Sequence, residues 1–166
     1  MINKFLGKNF YISFSIVALI YFLDRLSKIF VIQLDKNNLG SDIFNSAYLN
    51  IVLIWNKGIA FGLFSFDELH LYNTLTLLIS IIVVILVIMS LKSEGFKRYS
   101  LLMMVGGALG NLHDRIFFNA VPDFIDFHVG NFHWFIFNVA DIFISLGVFF
   151  MILIELIDNN KKNETV

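Results

Sequence analysis

Two aspartates beside long apolar runs are the residues best placed to do chemistry in this sequence: Asp123, in Val121-Pro122-Asp123-Phe124-Ile125-Asp126, and Asp141, in Phe137-Asn138-Val139-Ala140-Asp141. Carboxylates at a membrane boundary persist where they face protein or a water-filled cavity, so a functional reading is the default. Two carboxyl groups within hydrogen-bond reach cannot both ionise comfortably; one holds a proton while the other accepts one from a bridging water. That asymmetry is what amide hydrolysis needs. The ionised partner acts as general base on the water, the protonated one donates to the carbonyl oxygen, and the roles then exchange to protonate the leaving amine. Pro122 lacks an N–H and pushes Val121 toward an extended conformation, so a helix should end before Asp123. Asp141 opens a helix three residues after Asn138, on the same face near its positive end, where simple capping is the competing explanation.

Other polar residues sit at helical spacing. Asp24 and Lys28 lie four apart with the acid first, the favourable order for a pair; they either neutralise each other, snorkel to the boundary or support a site. Ser27 next to Lys28 makes a poor Ser/Lys dyad, because adjacent helical residues point in different directions. In Gly106-Gly107-Ala108-Leu109-Gly110-Asn111-Leu112-His113-Asp114-Arg115, Gly106 and Gly110 form a small-xxx-small packing face. Asn111, Asp114 and Arg115 share a side of that helix, and Arg115 can clamp Asp114 or another carboxylate through two parallel hydrogen bonds. His128 and His133 lie near Asp126, but there is no His-Glu-x-x-His pair and no clear third ligand, so a zinc site is the minor reading and no metal is expected. His70 and His113 read as boundary or packing residues. The chain has no Cys, no Gly-x-Ser-x-Gly elbow and no phosphate-cradling loop, so no cofactor is implied.

Positioning these residues falls to long apolar segments. Of 166 residues, 58% are hydrophobic and 15% charged, the balance of a membrane protein rather than a soluble domain. A formal net charge of −1 with no basic run interleaved with aromatics excludes nucleic acid as a partner. Four spans are expected, at residues 9–34, 70–91, 99–118 and 132–157, each near the ~20 residues a crossing helix requires. They form one membrane domain, residues 1–166, an all-α bundle with a small β-sheet. Lys4 and Lys8, then Lys92, Lys97 and Arg98, then Lys161 and Lys162 fall in alternate segments, which puts both termini in the cytoplasm and both acidic blocks at the outer face. The outer segment 35–69 is too long for a turn and should fold: 51–55 as a strand, Asn56-Lys57-Gly58 as a turn and 59–64 as a returning strand.

In their order, the blocks Asp24-Arg25-Leu26-Ser27-Lys28, Asn56-Lys57-Gly58-Ile59-Ala60-Phe61-Gly62, Gly106 to Asn111 with Asp114-Arg115, Val121-Pro122-Asp123-Phe124 and Phe137 to Asp141 closely resemble the bacterial lipoprotein signal peptidases, or signal peptidase II. The resemblance spans nearly the whole chain. It implies an intramembrane aspartic protease of the bacterial inner membrane, with Asp123 and Asp141 as the catalytic dyad. Asp24, Asn56, Gly58, Asn111, Asp114, Arg115, Asn138 and Ala140 are then motif positions shaping the pocket, and Lys28 a supporting residue. It further implies a diacylglyceryl-modified prolipoprotein substrate cleaved just before the lipidated cysteine, inhibition by globomycin, and a surface-lying β-cradle in the outer segment. Arg25 stands where the family commonly has Gln, and Pro122 directly precedes Asp123. A small proton-coupled transporter is the rival reading, since intramembrane Asp, Asn and Arg also line ion paths. It would place its site near the midplane and often shows inverted repeats, neither of which is visible here. Membrane lipids are the surrounding partner, and a monomer suffices for the chemistry.

Overall fold

A computed structural model of the protein describes residues 8–37, 43–58 and 69–164. Four helices, α1 (Lys8–Asn37), α2 (Leu69–Lys92), α3 (Gly95–Phe118) and α4 (Val139–Glu164), are joined by three strands, β1 (Leu49–Asn56), β2 (Val121–Val129) and β3 (Phe132–Phe137). At ~1.5 Å per residue even a 24-residue helix such as α2 reaches about 36 Å, beyond the ~30 Å of a bilayer core. Among the described residues, two stretches, His70–Lys92 and Val139–Asp158, are apolar enough as well as long enough to cross a membrane.

The distribution of side chains is inverted relative to a water-soluble protein. Leu77 and Phe117 are 63% and 67% exposed, whereas Asp24, Asp114 and Asn138 are fully buried. Apolar surface this extensive marks contact with lipid or protein rather than water. The polar residues turn inward because lipid offers no hydrogen bonds, so each needs a partner within the bundle.

At the centre, α3 packs against α1, α2 and α4. Its glycines make those approaches possible: a Cβ at Gly106 would lie 2.8 Å from Ile20 Cβ on α1, one at Gly110 2.5 Å from Asp24 Oδ2, and one at Gly107 2.5 Å from the Ala140 carbonyl oxygen on α4. The small-xxx-small face of Gly106 and Gly110 is therefore used within the chain. Asn119 ends α3 in the left-handed region, at φ 54°, which a short polar side chain tolerates.

The strands form one antiparallel sheet in the order β1-β2-β3. One expectation is corrected here. Residues 132–137 do not begin the fourth helix but form β3, so a β-hairpin connects the two acidic blocks. Phe132 to Phe137 is aromatic with one β-branched residue, a composition that favours a pleated surface. The two-residue turn Gly130-Asn131, with Gly130 at φ 59°, has the glycine-first form that suits strand twist. Within the described residues β1 finds its partner in β2, with Asn56 opposite Val121 and Asn50 opposite Asp126. The returning strand expected at 59–64 lies outside the described residues. Pro122 fits because β3 pairs with β2 only from Ile125 onward, leaving that side of Pro122 without a ladder to break.

Candidate active site

Asp123 lies on β2 and Asp141 in the first turn of α4, and Asn138 ties them together. Asn138 Nδ2 donates to Asp123 Oδ1 at 2.6 Å, while its Oδ1 accepts the Asp141 backbone N–H at 3.2 Å. In return the Asn138 N–H donates to Asp141 Oδ2 at 3.1 Å. This reciprocal pair is a capping box built from Asn and Asp, so Asp141 does cap its helix. Capping occupies only Oδ2. Its other oxygen, Oδ1, accepts from Asn111 Nδ2 at 2.8 Å, and Asp141 lines the same cavity as Asp123.

Three amides aim their NH2 groups at the two carboxyls, and each is oriented by a second contact that leaves no choice. Asn56 Oδ1 accepts the Gly58 N–H at 2.7 Å, so its Nδ2 faces Asp123 Oδ2 at 2.8 Å. Asn111 Oδ1 accepts from Lys28 Nζ at 2.8 Å, and ammonium only donates, so its Nδ2 must turn to Asp141. Asn138 is fixed by the Asp141 N–H. Burial pushes the Asp123 carboxyl up to about 6, with the charge of Asp141 adding to the rise; the amides of Asn56 and Asn138 and the more distant Lys28 oppose it.

Behind this pair lies a closed ionic cluster. Lys28 Nζ contacts Asp24 Oδ1 at 2.9 Å and Asp114 Oδ2 at 2.7 Å, and Arg25 contacts Asp114 at 2.6 Å and Asp24 at 3.1 Å. Asp24 also accepts the Ala140 N–H at 3.1 Å, which docks the start of α4 on α1. Lys28 is thus buried and shared by three partners rather than snorkelling. Arg25 fills a structural place in the same cluster.

Arg115 does not clamp Asp114, whose oxygens are taken by Arg25 and Lys28. Its Nη2 donates to the Gly58 carbonyl at 2.6 Å, its guanidinium lies 6.0 Å from the Tyr72 ring centroid, and its own carbonyl accepts from Tyr72 Oη at 3.3 Å. Arg115 Nε and Nη1 have no hydrogen-bond partner among the described residues. Sequence spacing could not show this contact, because Gly58 is remote in the chain. Asn56, Asn111, Arg115, Asp123 and Asp141 line one cavity of about 210 Å³, completed by the apolar Ile79, Ala108, Val121 and Ile144 and by Ser145. A second, more apolar cavity opens beside Asp141 between Phe137, Ile142, Ser145 and Leu146.

The family profile described as Signal peptidase (SPase) II matches residues 16–157, a stretch holding every one of these groups. The chain belongs to the signal peptidase II family. Membership makes it an aspartic peptidase, a hydrolase that removes signal peptides from prolipoproteins, and favours this over the transporter. A lipoprotein signal peptidase of Pelagibacter ubique (strain HTCC1062) is 49% identical over 160 residues, covering 96% of each chain. One from Anaplasma phagocytophilum (strain HZ) is 42% identical over 143 residues, covering 85% of this chain and 89% of the relative. A bacterial membrane enzyme solved in meso at 2.3 Å resolution superposes with a TM-score of 0.70 at 26% identity, covering 90% of both chains. The signal peptidase II fold is thus that of a membrane enzyme.

Proposed function

We propose that Asp123 and Asp141 are the catalytic dyad of this signal peptidase and that the substrate is a diacylglyceryl-modified prolipoprotein, cleaved just before the lipidated cysteine. The observation carrying this reading is the Asn138 bridge, which holds both carboxyls at one cavity while leaving each an oxygen served by a neutral amide. Asp123, raised to about 6 by burial beside Asp141, is assigned the role of acid, and Asp141 that of base. Asp141 takes a proton from water as the water oxygen bonds the scissile carbonyl carbon, and Asp123 gives its proton to the carbonyl oxygen. On collapse the hydroxyl proton returns to Asp123, Asp141 protonates the amine, and the C–N bond breaks. The unpartnered Arg115 N–H groups suit a backbone carbonyl of the bound peptide.

All four helices cross the inner membrane in this reading, with both termini cytoplasmic and the dyad at the outer leaflet. Lys92, Lys97 and Arg98 at the α2–α3 turn support that orientation, because the sheet and both aspartates lie at the opposite ends of these helices. Trp55 and Trp134 are exposed on the sheet, as expected of residues meeting lipid headgroups. A site there lets acyl chains stay in the bilayer while the peptide bond reaches water. No cofactor takes part, and one copy of the chain supplies every named residue. The test is cleavage of a lipidated prolipoprotein by the purified protein. Turnover that globomycin stops is the expected result; cleavage of the unlipidated substrate at the same rate would remove the lipid from the recognition.

A further inference from the structure

The tip of the β2–β3 hairpin brings together three metal-type donors that the peptidase chemistry does not use. Strand alternation puts Asp126 and His128 on the face of β2 opposite Asp123. His133 on β3 is directly opposite His128, and their rings stack with centroids 4.9 Å apart at 18°. One donor atom from each of Asp126, His128 and His133 lies within 4.8 Å of the others. The sequence places Asp126 near the two histidines; folding brings their donor atoms together, and the Asp126 carboxylate contacts His133 Nδ1 at 2.8 and 3.0 Å.

A His133–Asp126 hydrogen bond alone would account for two of the three. It does not account for His128 Nδ1, which is buried and has no hydrogen-bond partner among the described residues. A buried ring nitrogen with no partner, on a histidine grouped with a carboxylate and a second imidazole, is one that a bound cation would satisfy. The carboxylate is also oriented from outside. Asn50 Nδ2 on β1 donates to Asp126 Oδ2 at 3.3 Å, and Asn50 Oδ1 is itself fixed by the Ser46 N–H at 3.3 Å. Outer hydrogen bonds of this kind commonly hold ligating carboxylates.

We propose that Asp126, His128 and His133 form a binding site for a divalent transition metal of the zinc class. Two imidazoles and one carboxylate match zinc's borderline preference and leave the fourth tetrahedral position to water. The His133 side chain is half exposed, which leaves its ring room to turn toward the ion. The bound ion cross-links β3 to β2, and through Asn50 it braces β1, so its role is to stiffen the sheet that carries Asp123 rather than to join the hydrolysis.

Tag-free full-length protein in detergent, stripped with chelator, is titrated with zinc alone by calorimetry and followed by thermal melting. The expected result is one saturable equivalent and a melting temperature that rises with zinc. His133→Ala, whose side chain is half exposed, melts like the wild type without metal but binds at least about tenfold more weakly and gains no zinc-dependent rise. Asp126→Asn behaves in the same way. Non-saturating uptake, or equal affinity in His133→Ala, overturns the site and leaves adventitious binding only. These readouts do not involve cleavage, so they stand apart from the assignment of the dyad.

Discussion

Two pairs of buried aspartates lie close together in this bundle and are treated in opposite ways. Asp24 and Asp114 are met by cations, Lys28 between them and Arg25 across them. Asp123 and Asp141 are met by three amides and a backbone N–H. The first arrangement cancels charge and leaves no proton to move. The second supports a carboxylate without neutralising it, so the pair can still share a proton. A buried charge whose partner is removed is strongly destabilising, whereas a carboxyl held by neutral donors can change protonation state in place. Burial and residue type are common to both pairs; the neighbours separate framework from chemistry.

The comparison breaks most sharply at the dyad. Asp123→Asn and Asp141→Asn are each expected to lower cleavage of a lipidated prolipoprotein by at least about 10³-fold, roughly 4 kcal/mol of barrier, while the protein still accumulates in membranes. Cleavage within tenfold of wild type by either variant would remove that residue from the chemistry. In the ionic cluster the same kind of cut should act on folding. Lys28→Met leaves two buried carboxylates sharing Arg25 alone, and thermal or denaturant unfolding in detergent should show a loss of about 3–5 kcal/mol. A stable Lys28→Met protein with greatly reduced turnover would instead move Lys28 into the active site, acting through Asn111.

The local features were readable because they depend on neighbours in sequence. Pro122 announces that Asp123 lies outside a helix, Asn138 and Asp141 announce a helix start, and Gly106 and Gly110 announce close packing. The Gly130-Asn131 turn between aromatic runs was also a legible hairpin signal, obscured because the same apolar residues 132–137 continue smoothly into α4. What could not be read is pairing across the fold. Arg115 has Asp114 beside it in sequence yet reaches the Gly58 carbonyl, because Arg25 and Lys28 from α1 already occupy Asp114. Likewise Asp126, His128 and His133 are near one another in sequence, but the convergence of their donor atoms becomes plain only once the strand register is known.

A smaller effect is expected where α3 meets α4 between the two pairs. Gly107→Ala would press a methyl group to 2.5 Å from the Ala140 carbonyl oxygen and 2.9 Å from Ile144 Cγ1. Backbone is on the receiving side, so α4 must shift, costing about 1–3 kcal/mol in unfolding measurements. Because Ala140 also docks on Asp24 and precedes Asp141, turnover should fall with stability; unchanged stability would show that the helices can slide freely.

The finest test separates the two members of the dyad. The Asn56 amide favours the ionised form of Asp123 and so restrains a carboxyl that burial has raised to about 6. Removing it in Asn56→Ala raises Asp123 further. Asp123 must hold the proton to act as acid, so turnover falls as pH climbs through its pKa, and the alkaline limb of the rate profile should move to higher pH. A lost hydrogen bond of ~1 kcal/mol corresponds to a move of somewhat under one pH unit. An alkaline limb that stays put while the rate drops would assign that proton to Asp141 and exchange the two roles, leaving the contrast with the cation-bound pair intact.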